Sequence, residues 1–457
     1  MIEIEIDLDR EPTAAGTRAA PGPWVTARRL RTGALAVSLA LLLAAGGSAP
    51  PGPPPLTELT TLTVAPDQGF LLTADRVFVG AERTAGSGRS ISAHEPGRGR
   101  LLWTSEYDRD PGAGGLVEQV GDGLLVRTME DDVPHTTAVD ARTGAVRWSV
   151  AGSVEALADG RTGLLQEHIF SPDAGPVDPG SRSPSSGYWR SSSGLTYVAP
   201  PIGLVLHAID LDTGRPLWDS VPVADGVSVR RWSGVPVEDV PLVVTTLDGR
   251  VQRWDVRTGG PRHSLPAVGT EQPAVVVVGD LLALQRADAA ELSAYDIDTF
   301  ARRWQRDLGS PELSVGDCGG RLCVGNGLGW RLLDPVTGAD AAEIDHRTAW
   351  VVTGDHRVEM RSDEGGLIRT VDPVSGRTLA DLTGWTTITT ALPGAPMLLT
   401  RELSIIGPTW FGLLAPDATE VHLLGLVPYR ATGCQLAADL IACKDRSDSV
   451  RLWRYRR

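Results

Sequence analysis

An all-β ring of repeated four-stranded sheets, a β-propeller, is the fold class that this sequence predicts. Three observations carry the prediction. The phrase Ala138-Val139-Asp140-Ala141-Arg142-Thr143-Gly144-Ala145-Val146-Arg147-Trp148 recurs from Ala208 through Asp210, Thr213 and Gly214 to Trp218. At the aspartate slot its copies stand at 95, 140, 210, 255, 296, 334, 372, 415 and 454, so the steps run from 38 to 45 residues apart from one of 70. Apolar residues alternate around each copy, without the 3.6-residue periodicity that helical solenoids need. A period near 40 with about four strands per unit marks a propeller. Each unit is a sheet that buries both faces only when neighbours stack on it.

The phrase reads as strand, tight turn, strand. Asp140 can accept backbone N–H bonds at the turn, and Gly144 can take the positive φ that closes it. Val146 and Trp148 then share one face of the next strand. Other copies depart in informative ways. Glu95 to Gly99 and Trp103 is a looser version; Asp255 to Gly259 puts His263 in the tryptophan slot. Asp296 leads to Trp304 but has Phe300 in the glycine slot. Asp334 to Gly338 and Asp372 to Gly376 keep the turn and lose the tryptophan, and Ala415 and Arg454 mark two degenerate copies.

Ala-x-Asp-x-x-Thr-Gly-x-x-x-Trp resembles the tryptophan-docking repeat of the quinoprotein (pyrroloquinoline-quinone-like) propellers, over roughly residues 59 to 457. The resemblance implies that Trp103, Trp148, Trp218 and Trp304 dock between adjacent blades as structural residues. Such families usually have eight blades, so about eight four-stranded blades are expected, with the nine marked units as the alternative. Catalytic and non-catalytic members share the repeat, so it speaks to fold more than to function.

Residues 1–31 are rich in Pro, Ala, Gly and Arg and read as a disordered cytoplasmic tail. The uncharged run 32–49 follows Arg28, Arg29 and Arg31. It reads as a transmembrane signal anchor that leaves the N-terminus inside and the ring outside. A cleaved signal peptide is the alternative. No cysteine follows the run to carry a lipid anchor. Residues 50–55 form a proline-rich linker, and 56–457 form the extracytoplasmic propeller. Leu56 to Leu62 is strand-like, while Ser449 to Tyr455 is a third strand with no fourth after it. The early strand is therefore expected to complete the last blade and close the ring.

The step of 70 contains a long Pro/Gly/Ser-rich insertion between Glu167 and Leu195. Loops on a rigid scaffold often carry binding. Tyr188, Trp189 and Arg190 are residue types enriched at hot spots and form the candidate ligand-contact loop. A functionless excursion is the alternative.

Cys323 and Cys443 each lie eleven residues before their repeat's aspartate slot (334 and 454), with Cys318 and Cys434 preceding them across turns. Two hairpin disulfides, Cys318–Cys323 and Cys434–Cys443, are expected, which suits an oxidising compartment. Zinc held by all four thiolates is the rival, and the ligand spacing disfavours it.

The net charge of −14 lies downstream of the tail, whose charges cancel. That disfavours nucleic acid as the ring's partner. Quinoprotein dehydrogenases carry adjacent cysteines, calcium held by acidic and amide side chains, and a catalytic aspartate. This sequence has no adjacent cysteine pair and offers no residue-by-residue match to that site. The eight histidines are scattered, never at paired ligand spacing. Asp131-Asp132 and Asp363-Glu364 read as solvated hairpin tips, with weak calcium binding as the alternative. Trp232, Trp350, Trp385 and Trp410 lie outside the docking slot and read as core. No phosphate-cradling loop, nucleophile elbow or metalloprotease helix motif occurs.

The expectation is thus a non-enzymatic, membrane-anchored scaffold with no catalytic, cofactor or metal residues. It binds a protein or cell-envelope ligand and resembles the family of the lipoprotein that assists outer-membrane protein assembly. The alternative is a quinone-dependent dehydrogenase.

Overall fold

The computed structural model describes residues 55–64, 69–82, 89–107, 117–130, 133–173, 175–176, 189–190, 195–198, 200–218, 221–224, 227–229, 238–267, 273–286, 290–310, 313–318, 321–326, 329–345, 348–353, 356–361, 366–372, 377–389, 394–402, 407–447 and 449–456. The tail, the apolar run and all of the linker but Pro55 lie outside them, as do Tyr188, Trp232 and both acidic pairs. No helix among the described residues is long and apolar enough to cross a membrane.

Pro55–Arg457 forms one compact unit. It contains nine four-stranded antiparallel sheets, numbered here as blades 1 to 9, and a two-stranded hairpin. Of the two counts left open by the repeat, about eight or nine, the sheets give nine. Every marked unit becomes a full sheet, including the two degenerate ones, because a sheet's hydrogen bonds need only extended backbone and not the docking phrase. The long step of 70 residues is a single blade with an insertion, its sheet built from Val154–Ala156, Thr162–Ile169, Gly203–Asp210 and Val221–Val223.

The first strands of the blades meet at the inner edge. Phe70–Leu72 of blade 1 approaches Val117–Val120 of blade 2 and Thr432–Ala437 of blade 9. Closure follows the predicted route. Leu56–Thr63 pairs antiparallel with Ser449–Tyr455, so the N-terminal strand is the outer strand of blade 9. Gln435 adds an inner latch between blades 9 and 1. Its Oε1 accepts from Leu72 N at 2.7 Å and its Nε2 donates to Phe70 O at 2.7 Å. A chain whose ends share one sheet leaves no open blade from which the ring could fray.

Among the described residues the apolar core consists of nine clusters, one at each seam between blades. The seam of blades 3 and 4 buries Leu157, Leu164, Leu206, Leu242 and Trp254 among others, and that of blades 9 and 1 buries Leu62, Val77, Val79, Ala442 and Leu452. Strands inside a blade are covered on both faces, so their apolar residues serve two seams. In Leu281–Gln285, Leu282 and Leu284 face blade 4 while Leu281 and Ala283 face blade 6.

The repeated turn explains the repeated phrase. Asp140 Oδ1 accepts from Arg142 N at 3.0 Å and from Thr143 N at 2.9 Å, and Gly144 N donates to Asp140 O at 2.9 Å. Gly144 sits at φ +76. A Cβ there would lie 2.6 Å from the Trp103 ring of the preceding blade, so glycine is required twice over, by φ and by contact. Each docked indole donates to the carbonyl that follows the aspartate slot of the next blade. Trp103 donates to Ala141 O at 3.2 Å, Trp148 to Leu211 O at 2.8 Å, Trp218 to Val256 O at 2.8 Å and Trp304 to Pro335 O at 3.0 Å.

The exceptions to the phrase are coupled. His263 stands in the tryptophan slot of blade 4, and the residue it meets in blade 5 is Phe300, at a ring separation of 5.8 Å. Phe300 occupies the glycine slot at φ +57. With no indole lying flat on the turn, a side chain has room there. At the closing seam the outer strand supplies Thr60 and Leu62, which pack on the Gly99 turn instead of a tryptophan. The two disulfides form as hairpin staples between first and second strands, Cys318–Cys323 in blade 6 and Cys434–Cys443 in blade 9, with Cα separations of 5.8 and 4.1 Å.

Candidate functional site

In an up-and-down blade, the turns joining strands one to two and three to four lie on one face of the ring. The joins of strands two to three, and of one blade to the next, lie on the other. The docking turns occupy the first face. The insertion of blade 3 joins Thr162–Ile169 to Gly203–Asp210 and so rises from the second.

Its root is well ordered by backbone pairing. The two strands stay in register to their ends, where Ile169 faces Gly203, and Ile202 N donates to Ile169 O at 2.8 Å. Phe170 stacks on Tyr197 with ring centres 3.8 Å apart and planes 7° from parallel. His168 contacts Phe170 at 6.1 Å. Trp189–Arg190 pairs with Thr196–Tyr197, which sets Trp189 opposite Tyr197. Of the candidate loop, then, Trp189 and Arg190 lie in this small hairpin, and Tyr188 falls outside the described residues.

Blade 4 extends the surface. Its matching turn carries Leu247, which leans on Gly203, where an added Cβ would meet Leu247 Cδ2 at 3.2 Å. Thr246 fixes that turn, since Arg250 N donates to its hydroxyl at 3.1 Å. Ile202 and Leu247 are each more than half exposed, and Leu195 is exposed beside Thr196–Tyr197. The result is an aromatic and aliphatic platform, flanked beneath by His207 and Glu167, whose Nε2 and Oε2 lie 3.6 Å apart.

That composition suits contact recognition. Among the described residues no group of three or more His, Cys, Asp or Glu side chains could hold a metal. The strongest carboxylate shifts belong to turn architecture. The Arg147 guanidinium, 2.7 Å from Asp140, holds that carboxyl well below the usual carboxylate range, and Arg303 does the same for Asp296. Neither pair lines the platform.

Sequence reasoning passed over one group. Trp350 lies half-buried in the seam of blades 6 and 7, packed with Trp330 and the Cys318–Cys323 staple and covered by Arg357. The signal was present in His356–Arg361, where Arg357, Glu359 and Arg361 alternate with Val358 and Met360. A second strand is sheathed on both faces, so charge alternation there marks a charged seam. Trp385 packs against Gly412 in the core of the seam of blades 7 and 8, and Trp410 is half-buried in the third strand of blade 8.

A family model described as outer membrane protein assembly factor BamB matches residues 87–172 and 202–379, more than half the sequence. Its gap, residues 173–201, falls in the insertion of blade 3 and takes in Tyr197, while Phe170, Ile202 and Leu247 lie in the matched residues. A comparison with curated proteins finds no match. Among solved structures, a eukaryotic initiation factor is similar at 12% identity and a TM-score of 0.51, covering 80% of this chain and 91% of that one. BamB from Moraxella catarrhalis is similar at 15% identity and a TM-score of 0.36, covering 88% and 98%. The quinohemoprotein alcohol dehydrogenase ADHIIG from Pseudomonas putida HK5 is similar at 10% identity and a TM-score of 0.40, covering 88% and 76%.

Proposed function

We infer a binding role for this chain, which belongs to the family of the outer membrane protein assembly factor BamB. It is a non-enzymatic scaffold that presents the loops of one propeller face to a protein or cell-envelope partner. The observation that carries this reading is the platform of exposed Ile202 and Leu247 beside half-buried Phe170 and Tyr197. Exposed apolar side chains grouped on one face mark an interaction surface. The role for which the family is named, outer membrane protein assembly, favours a protein partner. The apolar run 32–49 would tether the ring outside the membrane, consistent with its two disulfides.

Photocrosslinkers placed at Ile202 and Leu247, with controls at Val336 on the opposite face, test the reading in cells. A partner trapped from Ile202 and Leu247 but not from Val336 supports it, and equal trapping from both faces rejects it. The tether is tested by the mass of a C-terminally tagged product; loss of about 5 kDa, the mass of the N-terminal segment, would identify a cleaved signal peptide instead. Turnover of alcohols or sugars on adding quinone and calcium would move the assignment to the dehydrogenase alternative.

A further inference from the structure

The seam of blades 6 and 7 differs from the other eight. Among the described residues it buries two apolar side chains, Cys323 and Leu332, with Cys318, Trp330 and Trp350 packed against them. On the same basis every other seam buries between six and eleven. Beside them this seam encloses charge. The register of Thr348–Thr353 on His356–Arg361 sets Trp350 opposite Glu359, and Arg357 follows two residues away on the same face.

Arg357 is only 3% exposed, and its guanidinium carbon lies 3.3 Å above the centre of the Trp350 ring. Its Nε and Nη1 meet no hydrogen-bond acceptor, and neither does the buried Nε1 of Trp350. Its ion contact is long. Nη2 lies 3.9 Å from Glu359 Oε1, while Glu359 Oε2 accepts from Arg369 Nε at 2.6 Å. Among the described groups, Arg321 and Arg369 repel the guanidinium, and Glu359 and Asp372 attract it. Burial accordingly pulls the guanidinium down to about 10.

Three buried N–H donors without acceptors, beside a guanidinium whose carboxylate contact is long and shared with Arg369, describe the complement of an anionic acceptor. Each orphan donor costs about 1–3 kcal/mol, and water could satisfy a donor but not the charge. A halide is one acceptor point, whereas a carboxylate offers two oxygens to donors on different atoms. We propose that the seam of blades 6 and 7 is a binding site for a monovalent carboxylate, seated against Arg357 and the indole nitrogen of Trp350. The carboxylate comes either from a free small acid or from an acidic side chain of a bound protein.

The test uses the full-length protein, with thermal unfolding read in sodium acetate and in sodium chloride at equal ionic strength. Acetate is expected to raise the midpoint beyond chloride, by an increment that grows with the logarithm of its concentration above the dissociation constant. Arg357→Met should abolish that increment. Trp350→Phe keeps a ring beneath the guanidinium but removes the donor, and should weaken acetate by about tenfold. A parallel titration with N-acetylglutamate amide separates the sources. Stabilisation by acetate alone identifies a free small acid, and stabilisation by both shows that the seam admits a side chain. Equal effects of chloride and acetate, or an increment that survives Arg357→Met, would each overturn the proposal. Should Arg357→Met fail to fold, Trp350→Phe decides, because unchanged acetate affinity there also overturns it.

Discussion

The two seams on either side of blade 6 are built on opposite principles. Toward blade 5, Trp304 lies flat on Gly338, donates to Pro335 O, and joins nine other buried apolar residues. Toward blade 7 no tryptophan docks, two apolar residues are buried among the described ones, and Arg357 is enclosed with orphaned donors. The first seam is held by area and by directed hydrogen bonds, since Arg306 Nη1 also crosses it to Gly338 O at 2.6 Å and Asp340 Oδ1 at 2.8 Å. The second relies on ring closure and on the Cys318–Cys323 staple to keep a polar interior in place. The difference teaches that a ring can host one poorly packed joint, because its neighbours and its closure hold both blades of that joint in register.

Truncating Trp304→Ala should give the largest effect, a loss of about 3–5 kcal/mol in denaturant unfolding, the range for removing a buried aromatic. A smaller loss would mean that the docked seam is not the stronger one. Gly338→Ala introduces a Cβ at 2.6 Å from that indole and strains a φ of +70, so about 1–3 kcal/mol should be lost. The altered joint of blades 4 and 5 offers a double-mutant cycle. His263→Trp with Phe300→Gly should be more stable than the single changes predict, by about 1 kcal/mol, and strict additivity would show that the two exceptions are independent.

Arg357→Met carries the comparison in the other direction. Glu359 keeps Arg369 as its partner, so no charge is stranded, and stability measured without carboxylate should be unchanged or higher. A loss near that of Trp304→Ala would erase the contrast between the seams. The smallest effect concerns pH. The folded pKa of Asp140 is depressed by Arg147, so its contribution is complete above the ordinary value of 3.8 and fades as pH falls through the folded value. Stability curves in acid should therefore be shallower for Asp140→Asn than for the unaltered protein below about pH 4. The carboxylate is partly solvated, which keeps this term small.

Much of the ring could be read from the chain before any coordinates. The aspartate and glycine slots mark local turns, and the tryptophan slot sits at a fixed distance from them, so short-range chemistry writes them into every copy. Ring closure by Leu56–Thr63 was legible because the last unit lacked a strand. The blade count was not, since degenerate units form sheets without the phrase. The platform was not legible as a unit. Composition pointed to the insertion with Tyr188, Trp189 and Arg190, whereas Phe170, Ile202 and Leu247 stand on two blades and carry no shared motif.

The sequence by itself determined the module: where each turn closes, which residue docks on the next sheet, and which cysteines share a hairpin. These depend on groups a few residues apart, whose geometry follows from backbone sterics and hydrogen bonding. Only the tertiary structure decided how many modules close the ring, which seam receives Arg357 in place of an apolar core, and which side chains from blades 3 and 4 share a face. Those outcomes depend on the fit between surfaces distant in sequence, where a residue's neighbours are set by the wrapping of the whole chain.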